Sequence, residues 1–297
     1  MSVKAKARQV YAELVRGRSR VRVVPAVEPN ASEPPVFLVG AYRSGTTLVR
    51  FLMDSHPRIA CPPETIIMNY LDPLASAPRS LERLEGLGFD RDHVLSATRR
   101  YVSYFYESYA ASCGKPRWAD KSPENVWHLE FLADLFPDAQ FVLIVRHVLD
   151  QVHSHVMTPH DLKSRLADYG LSEGDDIRVC AARYWRAAVR AQLTFRAAHP
   201  DACHLLRYED LCAAPEARTR EILDFLGERW DASVLEYYKK DHDFGKSDNK
   251  AKLSRGIALS TGGYGQWDRD VVERIQSIAA AELDQLGMPM TPSAVLV

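Results

Sequence analysis

No run of about 18 consecutive apolar residues occurs in this 297-residue chain, so no stretch of it is expected to cross a bilayer as a helix. The amino terminus is basic but lacks the apolar segment of a secretory leader, and a cytoplasmic location is the expectation. Cysteine is scarce and unpaired. The five residues, at 61, 113, 180, 203 and 212, include no C-x-x-C spacing, which points to reduced thiols and away from a disulfide framework. A charge excess of one sign is missing too, and a net charge of -1 excludes strong attraction of the whole molecule to nucleic acid. Internal repeats and low-complexity tracts are absent. What is present is the composition of an ordinary globular protein, 46% apolar and 26% charged.

The charge is nevertheless uneven. Residues 1–22 carry seven cationic side chains against the single acid Glu13. Val3, Ala7, Val10, Tyr11 and Leu14 fall at helical spacing there, a pattern that suits a basic amphipathic helix, although a frayed tail is the plainer reading. Pro25, Pro29, Pro34 and Pro35 mark a linker. The expected organisation is a basic segment and linker over residues 1–33, then one domain over residues 34–297, with a homodimer compatible with the sequence. Short apolar or β-rich runs at Val36–Val39, Arg117–Ala119, Gln140–Val145 and His204–Tyr208 read as strands. Helical stretches lie near 47–55, 80–110, 124–136, 148–157, 176–198 and 215–227. Strands alternating with helices imply an α/β domain of three layers, a central parallel sheet flanked by helices.

The stretch VFLVGAYRSGTTLVRFL, Val36 to Leu52, reads as strand, glycine loop and helix, the construction of a phosphate cradle. A nucleoside-triphosphate loop of that kind wants G-x-x-x-x-G-K-[ST]. Here Thr46 stands where the lysine belongs, and the cation, Arg43, sits inside the loop. The strand Phe141–Val145 ends in Arg146, not in the acid that would help hold magnesium. Both departures point to a ligand with phosphate but without a chain of three, and without a metal. Ser44, Gly45, Thr46 and Thr47 complete the loop: Gly45 admits close backbone approach, and the threonines add hydroxyl donors.

These residues carry a family likeness. R-S-G-T-T after a strand resembles the 5′-phosphosulfate loop of sulfotransferases that use 3′-phosphoadenosine-5′-phosphosulfate (PAPS). VRHVLDQVHSH, with Arg146 and Ser154 eight apart, is similar to the family's 3′-phosphate motif. LLRYEDLCAAPEA resembles its R-Y-E-D-L-x-x-x-P segment, with Tyr208 beside the nucleotide. ADKSPEN resembles its K-x-P element at Lys121, and GQWDRD its tryptophan near a carboxyl-terminal nucleotide loop. The branch that includes protein-tyrosine sulfotransferases and bacterial relatives has R-S-G-T-T-L followed by D-x-H-P and E-T, matched here by Arg43, Asp54–Pro57 and Glu64–Thr65.

The resemblance implies a P-loop-like fold, PAPS as co-substrate and PAP as product, with no metal. It places the family's catalytic glutamate at Glu64, after the stiff Cys61-Pro62-Pro63 turn; His56 is the rival base, but its D-x-H-P setting reads as structural. Lys121 and Arg43 are the expected charge stabilisers. Arg43, Ser44, Gly45, Thr46, Thr47, Arg146, Ser154 and Tyr208 are the expected nucleotide contacts, joined by Ser254 and Arg255 from the loop before Trp267. Plainer readings exist for each: a surface glutamate, a solvated lysine, Arg146 paired with Asp150, Ser154 on a solvated helix face. His153-x-His155 does not present both rings to one metal on a helix.

The protein-tyrosine enzymes carry arginines two and six residues after the glutamate, where this chain has Ile66 and Tyr70. Their paired-cysteine pattern is incomplete here, with Ala119 near Lys121. The expected acceptor is therefore a hydroxyl of a small or carrier-bound molecule. Protein-tyrosine sulfation, a P-loop kinase or NTPase, and an inactive PAP-binding module are the alternatives. Tyr101, Tyr104, Phe105, Tyr106 and Tyr109 could line an acceptor pocket, but helix packing is the preferred reading of that stripe.

Overall fold

The structure, a computed structural model, describes residues 33–157, 176–240, 242 and 257–292. The basic segment and most of the linker lie outside them. The strands are β1 (Val36–Val39), β2 (Ile59–Ala60), β3 (Arg117–Asp120), β4 (Gln140–Val145) and β5 (Cys203–Arg207), all parallel, in the order β2-β3-β1-β4-β5. Four occupy the positions expected from sequence. The two-residue β2 is too short to leave a pattern, and Tyr208 belongs to the helix after β5 instead of to the strand.

β1 is apolar throughout and fully buried because it is central and covered on both faces. Its alternation sorts side chains between two cores. Phe37 and Val39 join Phe141, Leu143 and Val145 under α4 (Arg91–Ser112), α5 (Leu129–Leu135), α7 (Ile177–Ala198) and α10 (Arg269–Gln285). Val36 and Leu38 join Val142 and Ile144 under α1 (Thr46–Ser55) and α9 (Pro215–Leu226). Phe37 stacks on Phe141 at 5.4 Å between ring centroids and meets Trp118 edge-on at 5.7 Å. Burying each such ring contributes on the order of 2–3 kcal/mol.

The single helix expected near 80–110 is divided. Within it α3 (Pro78–Glu85) and α4 are separate because Gly88, at φ 88°, turns the chain and Asp90 caps α4 by accepting the His93 N–H at 3.0 Å. α2 (Met68–Ser76) precedes that stretch, was not anticipated, and ends at the extended Ala77 before Pro78. The stretch 124–136 divides likewise, into a 3₁₀ turn at Pro123–Trp127 and α5. The remaining helices are α6 (Val148–Val156) and α8 (Tyr208–Ala213). α10 was not anticipated from the sequence.

Candidate active site

The carboxyl ends of four neighbouring strands deliver the site. Pairing of Phe37 with Asp120, Val39 with Leu143 and Val145 with Arg207 brings Lys121, Gly40, Arg146 and Tyr208 to the same edge of the sheet in a stagger, Lys121 lowest and Arg146 with Tyr208 furthest out. Adjacent strands lie about 4.8 Å apart, and this edge is where open α/β sheets collect their ligands.

The cradle between β1 and α1 leaves no room for other residues. A Cβ on Gly40 would fall 2.6 Å from the Ile144 carbonyl oxygen and from Ser44 Oγ. Gly45 sits at φ 96°, and a Cβ there would be 2.2 Å from the Tyr208 ring. Arg43 is also left-handed, at φ 70°. Gly45 caps α1 without a side chain, and the first turn of α1 holds no acid. α4 and α7, by contrast, are capped by Asp90 and Asp176. The positive end of α1 thus stays open to an anion. Ser44 is buried and its Oγ has no hydrogen-bond partner; Arg146 Nε is buried and unsatisfied as well. Such orphaned groups cost about 1–3 kcal/mol each unless a ligand completes them, and an oxyanion fits both.

The expected 3′-phosphate residues stand beside the loop. Arg43 Nε donates to Ser154 Oγ at 3.0 Å, which brings a loop cation and an α6 hydroxyl together instead of leaving Ser154 solvated. Arg146 donates to the Arg43 carbonyl at 3.2 Å and to the Ser260 carbonyl at 2.5 Å, with its guanidinium 4.9 Å from the Tyr208 ring centroid. It is not held by Asp150. That carboxylate accepts from Thr261 Oγ1 at 2.7 Å and from the Gly262 N–H at 2.8 Å, pinning the 260–262 segment beside α6. Trp267 follows, 5.9 Å from the His153 ring. Ser254 and Arg255 lie outside the described residues; Ser260 and Thr261 are the members of that loop seen at the site.

Glu64 emerges after β2, and its carboxylate ion-pairs directly with Lys121, whose side chain is only 3% exposed. The preceding turn is held from below. Arg50, one turn into α1, is fully buried and donates to the carbonyls of Cys61 at 3.1 Å and Pro62 at 3.0 Å. Asp54 accepts the Cys61 N–H at 3.0 Å. Burial pushes the Asp54 carboxyl up, but the His242 hydrogen bond, the Lys115 charge and the Cys61 N–H together hold it below its ordinary range. Burial pushes the Cys61 thiol up to about 12, so it is no nucleophile. After Glu64, Thr65 Oγ1 and Tyr106 OH are 2.7 Å apart, and Tyr106 also hydrogen-bonds Asp120. Asp120 is completely buried; burial raises its pKa, opposed by hydrogen bonds from Asn125, Tyr106 and Ser122.

His56 is not at this site. It is buried and bonded to the Arg229 carbonyl at 2.9 Å, so the rival base is structural. Of the aromatic stripe, Tyr106 is core and Tyr109 packs against it, as helix packing requires; Tyr101, Tyr104 and Phe105 are exposed. Arg50, Tyr106 and Asp120 were not anticipated as supports of the site. Arg50 is one more cation in an amphipathic helix, and nothing local marks it.

A family model described as "Sulfotransferase family" matches residues 34–232, and the chain belongs to that family. Protein-tyrosine sulfotransferase A of Caenorhabditis elegans is 28% identical over 213 residues, 70% of this chain and 53% of that protein. The chain spans about half the length of the curated relatives it matches. Among solved structures, a sulfotransferase domain from the curacin biosynthetic pathway superposes with a TM-score of 0.60 at 20% identity, covering 88% of this chain and 100% of that one. A mouse sulfotransferase complexed with PAP gives 0.51 at 12% identity, covering 86% and 85%. These likenesses agree with the parallel α/β fold found here.

Proposed function

We propose that this chain is a PAPS-dependent sulfotransferase that acts on a hydroxyl of a small or carrier-bound acceptor, with Glu64 as general base. One observation carries the reading: the orphaned Ser44 Oγ and Arg146 Nε flank an acid-free helix start, one strand away from the pair of buried Lys121 with accessible Glu64. PAPS supplies the sulfuryl group and leaves as PAP. Arg43, Ser44, Gly45, Thr46 and Thr47 would hold its 5′ end through backbone N–H groups, hydroxyls and the Arg43 cation, which with Lys121 would stabilise charge on the transferred group, and Arg146 and Ser154 would hold its 3′-phosphate. Tyr208, beside Gly45 and under Arg146, would close the nucleotide side.

Glu64 is partly exposed, so an acceptor hydroxyl can reach it. Its carboxylate accepts the hydroxyl proton as the oxygen attacks. Lys121, almost dry, keeps a fixed ammonium where negative charge builds on the transferred and bridging oxygens; such preorganised charge acts more strongly in a water-poor site than in bulk. Positioning and charge stabilisation supply the rest, as in phosphoryl transfer. Ile66 and Tyr70, both exposed, stand where the protein-tyrosine enzymes carry cations, which favours an acceptor that is apolar near its hydroxyl.

Calorimetry with PAP, 5′-AMP and ATP tests the nucleotide assignment. PAP is expected to bind at least about tenfold more tightly than 5′-AMP, the worth of one charge-assisted hydrogen-bonded phosphate. Equal affinities for the two would overturn it. Transfer of label from PAPS to a panel of alcohols and phenols then identifies the acceptor class.

A further inference from the structure

A cavity of about 820 Å³ lies between α2, the Pro123–Trp127 turn, α5 and α7. Its apolar lining is Trp127, Ala187 and Ala191, over the buried Val126, Leu129 and Phe195. Its rim is charged. α7 contributes Arg183, Arg186 and Arg190, a stripe of about 10 Å along one helix face. The acids of the rim are all engaged: Asp72 with His128 at 2.7 Å, Asp134 with Arg91 at 2.6 Å, Glu130 with His199 at 3.1 Å. Arg190 is paired with Glu282 at 2.8 Å. Among the described residues Arg183 and Arg186 make no ion pair, although both are half-buried. Two like charges one turn apart repel, and partial burial sharpens the cost. An anion between them would reverse its sign.

Both walls of the cavity grow out of the catalytic pair. α2 starts four residues after Glu64, and the Pro123–Trp127 turn starts two after Lys121. His128 ties the two together through Asp72 and, at 2.9 Å, Asn69. Trp127 packs on Tyr184 at 5.9 Å, and Tyr184 OH accepts the Tyr42 N–H of the cradle at 3.3 Å. With about 2 Å of rise per residue of a 3₁₀ turn, the cavity opens roughly 10–12 Å from Lys121.

We infer that this groove binds the far end of an elongated acceptor, holding a terminal oxyanion, phosphate or carboxylate, at Arg183 and Arg186 while the apolar body lies on the exposed ring of Trp127, which packs on Tyr184 beside them. The inference rests on the acceptor side of the proposed function and adds a substrate class to it: a hydroxyl at one end, an anion at the other. Three probes separate the possibilities on PAP-loaded protein by calorimetry: 8-hydroxyoctyl phosphate, 9-hydroxynonanoate and octane-1,8-diol. At least one anionic probe is expected to bind about tenfold or more tightly than the diol, and to lose most of that advantage in 0.5 M salt. Arg183→Glu/Arg186→Glu removes the advantage, and Arg183→Gln/Arg186→Gln reduces it; PAP affinity stays within about twofold in both. Whichever anion wins identifies the group. If both anions bind no better than the diol, or if the double Glu variant keeps the preference, the groove is not an acceptor site. Failure of PAP itself to bind would instead sink the nucleotide reading, a separate result.

Discussion

On the nucleotide side of the sheet edge, the cradle itself is one contiguous stretch, Gly40 to Thr47, with Arg146, Ser154 and Tyr208 set beside it. On the acceptor side, Glu64 and Lys121 come from different segments, and Arg50, Asp54, Tyr106 and Asp120 hold them from three further elements. The first half depends on shape, since two glycines stand where no Cβ fits. The second depends on side-chain ties across sequence separations of up to 57 residues between the reacting pair itself. A seat for an invariant ligand can be written into a local motif. A platform that must present a base to a particular acceptor is assembled by the fold and is free to vary around it.

The sharpest way to separate the two halves is to remove the base. Glu64→Ala is expected to lower turnover roughly 10²- to 10⁴-fold, the usual worth of a general base, while PAP affinity stays within about twofold. Loss of PAP binding in that variant would show that the halves are not separable. Next in size is Gly45→Ala. A left-handed L-residue costs about 1–2 kcal/mol, and the overlap with Tyr208 adds to it. PAP affinity should fall more than tenfold and the melting temperature by several degrees, and a variant with unchanged PAP binding would refute the close approach. Arg146→Ala should weaken PAP by roughly 10- to 100-fold and leave 5′-AMP almost untouched; parallel losses for both nucleotides would place Arg146 elsewhere than at the 3′-phosphate.

A smaller effect is expected on the acceptor side from Tyr106→Phe, which removes the hydroxyl shared by Thr65 and Asp120. One neutral hydrogen bond is worth about 1 kcal/mol, so turnover should drop severalfold with PAP binding intact. An unchanged rate would mean that Glu64 is aimed without this strut. The smallest concerns the nucleotide side. Burial lowers the pKa of His147, which caps α6 through the Leu149 N–H. The folded state therefore holds His147 neutral below the pH at which the unfolded chain takes up a proton. The associated stability is present above the unfolded value near 6.5 and is lost as pH falls toward the folded one. The urea midpoint should decline between pH 7.5 and 5.5, and His147→Gln should flatten that decline; an identical slope in the variant would remove His147 from the account.

Legibility in the sequence followed the same division. R-S-G-T-T, Arg146 with Ser154, and Tyr208 could be read because their spacing is local, and the structure gathers them at one edge. Four strands were legible from their apolar runs. β2 has too few residues to show a period, and the division of the expected helix into α3 and α4 depends on Gly88 and on the Asp90 cap outweighing continuous helical spacing. Arg50 and Asp120 left no trace, and Tyr106 was legible only as one ring of an aromatic stripe, since burial of a polar side chain under a loop is decided by the packing of distant elements. The plainer reading of Arg146, a pair with Asp150, failed for a related reason: the partner of Asp150 lies more than 100 residues away.

Arg50 has a consequence of its own. It stands on the same helix that starts in the anion seat, and it grips the turn carrying Glu64. α1 is thus a ruler between donor and recipient, fixing the stroke length of the transfer.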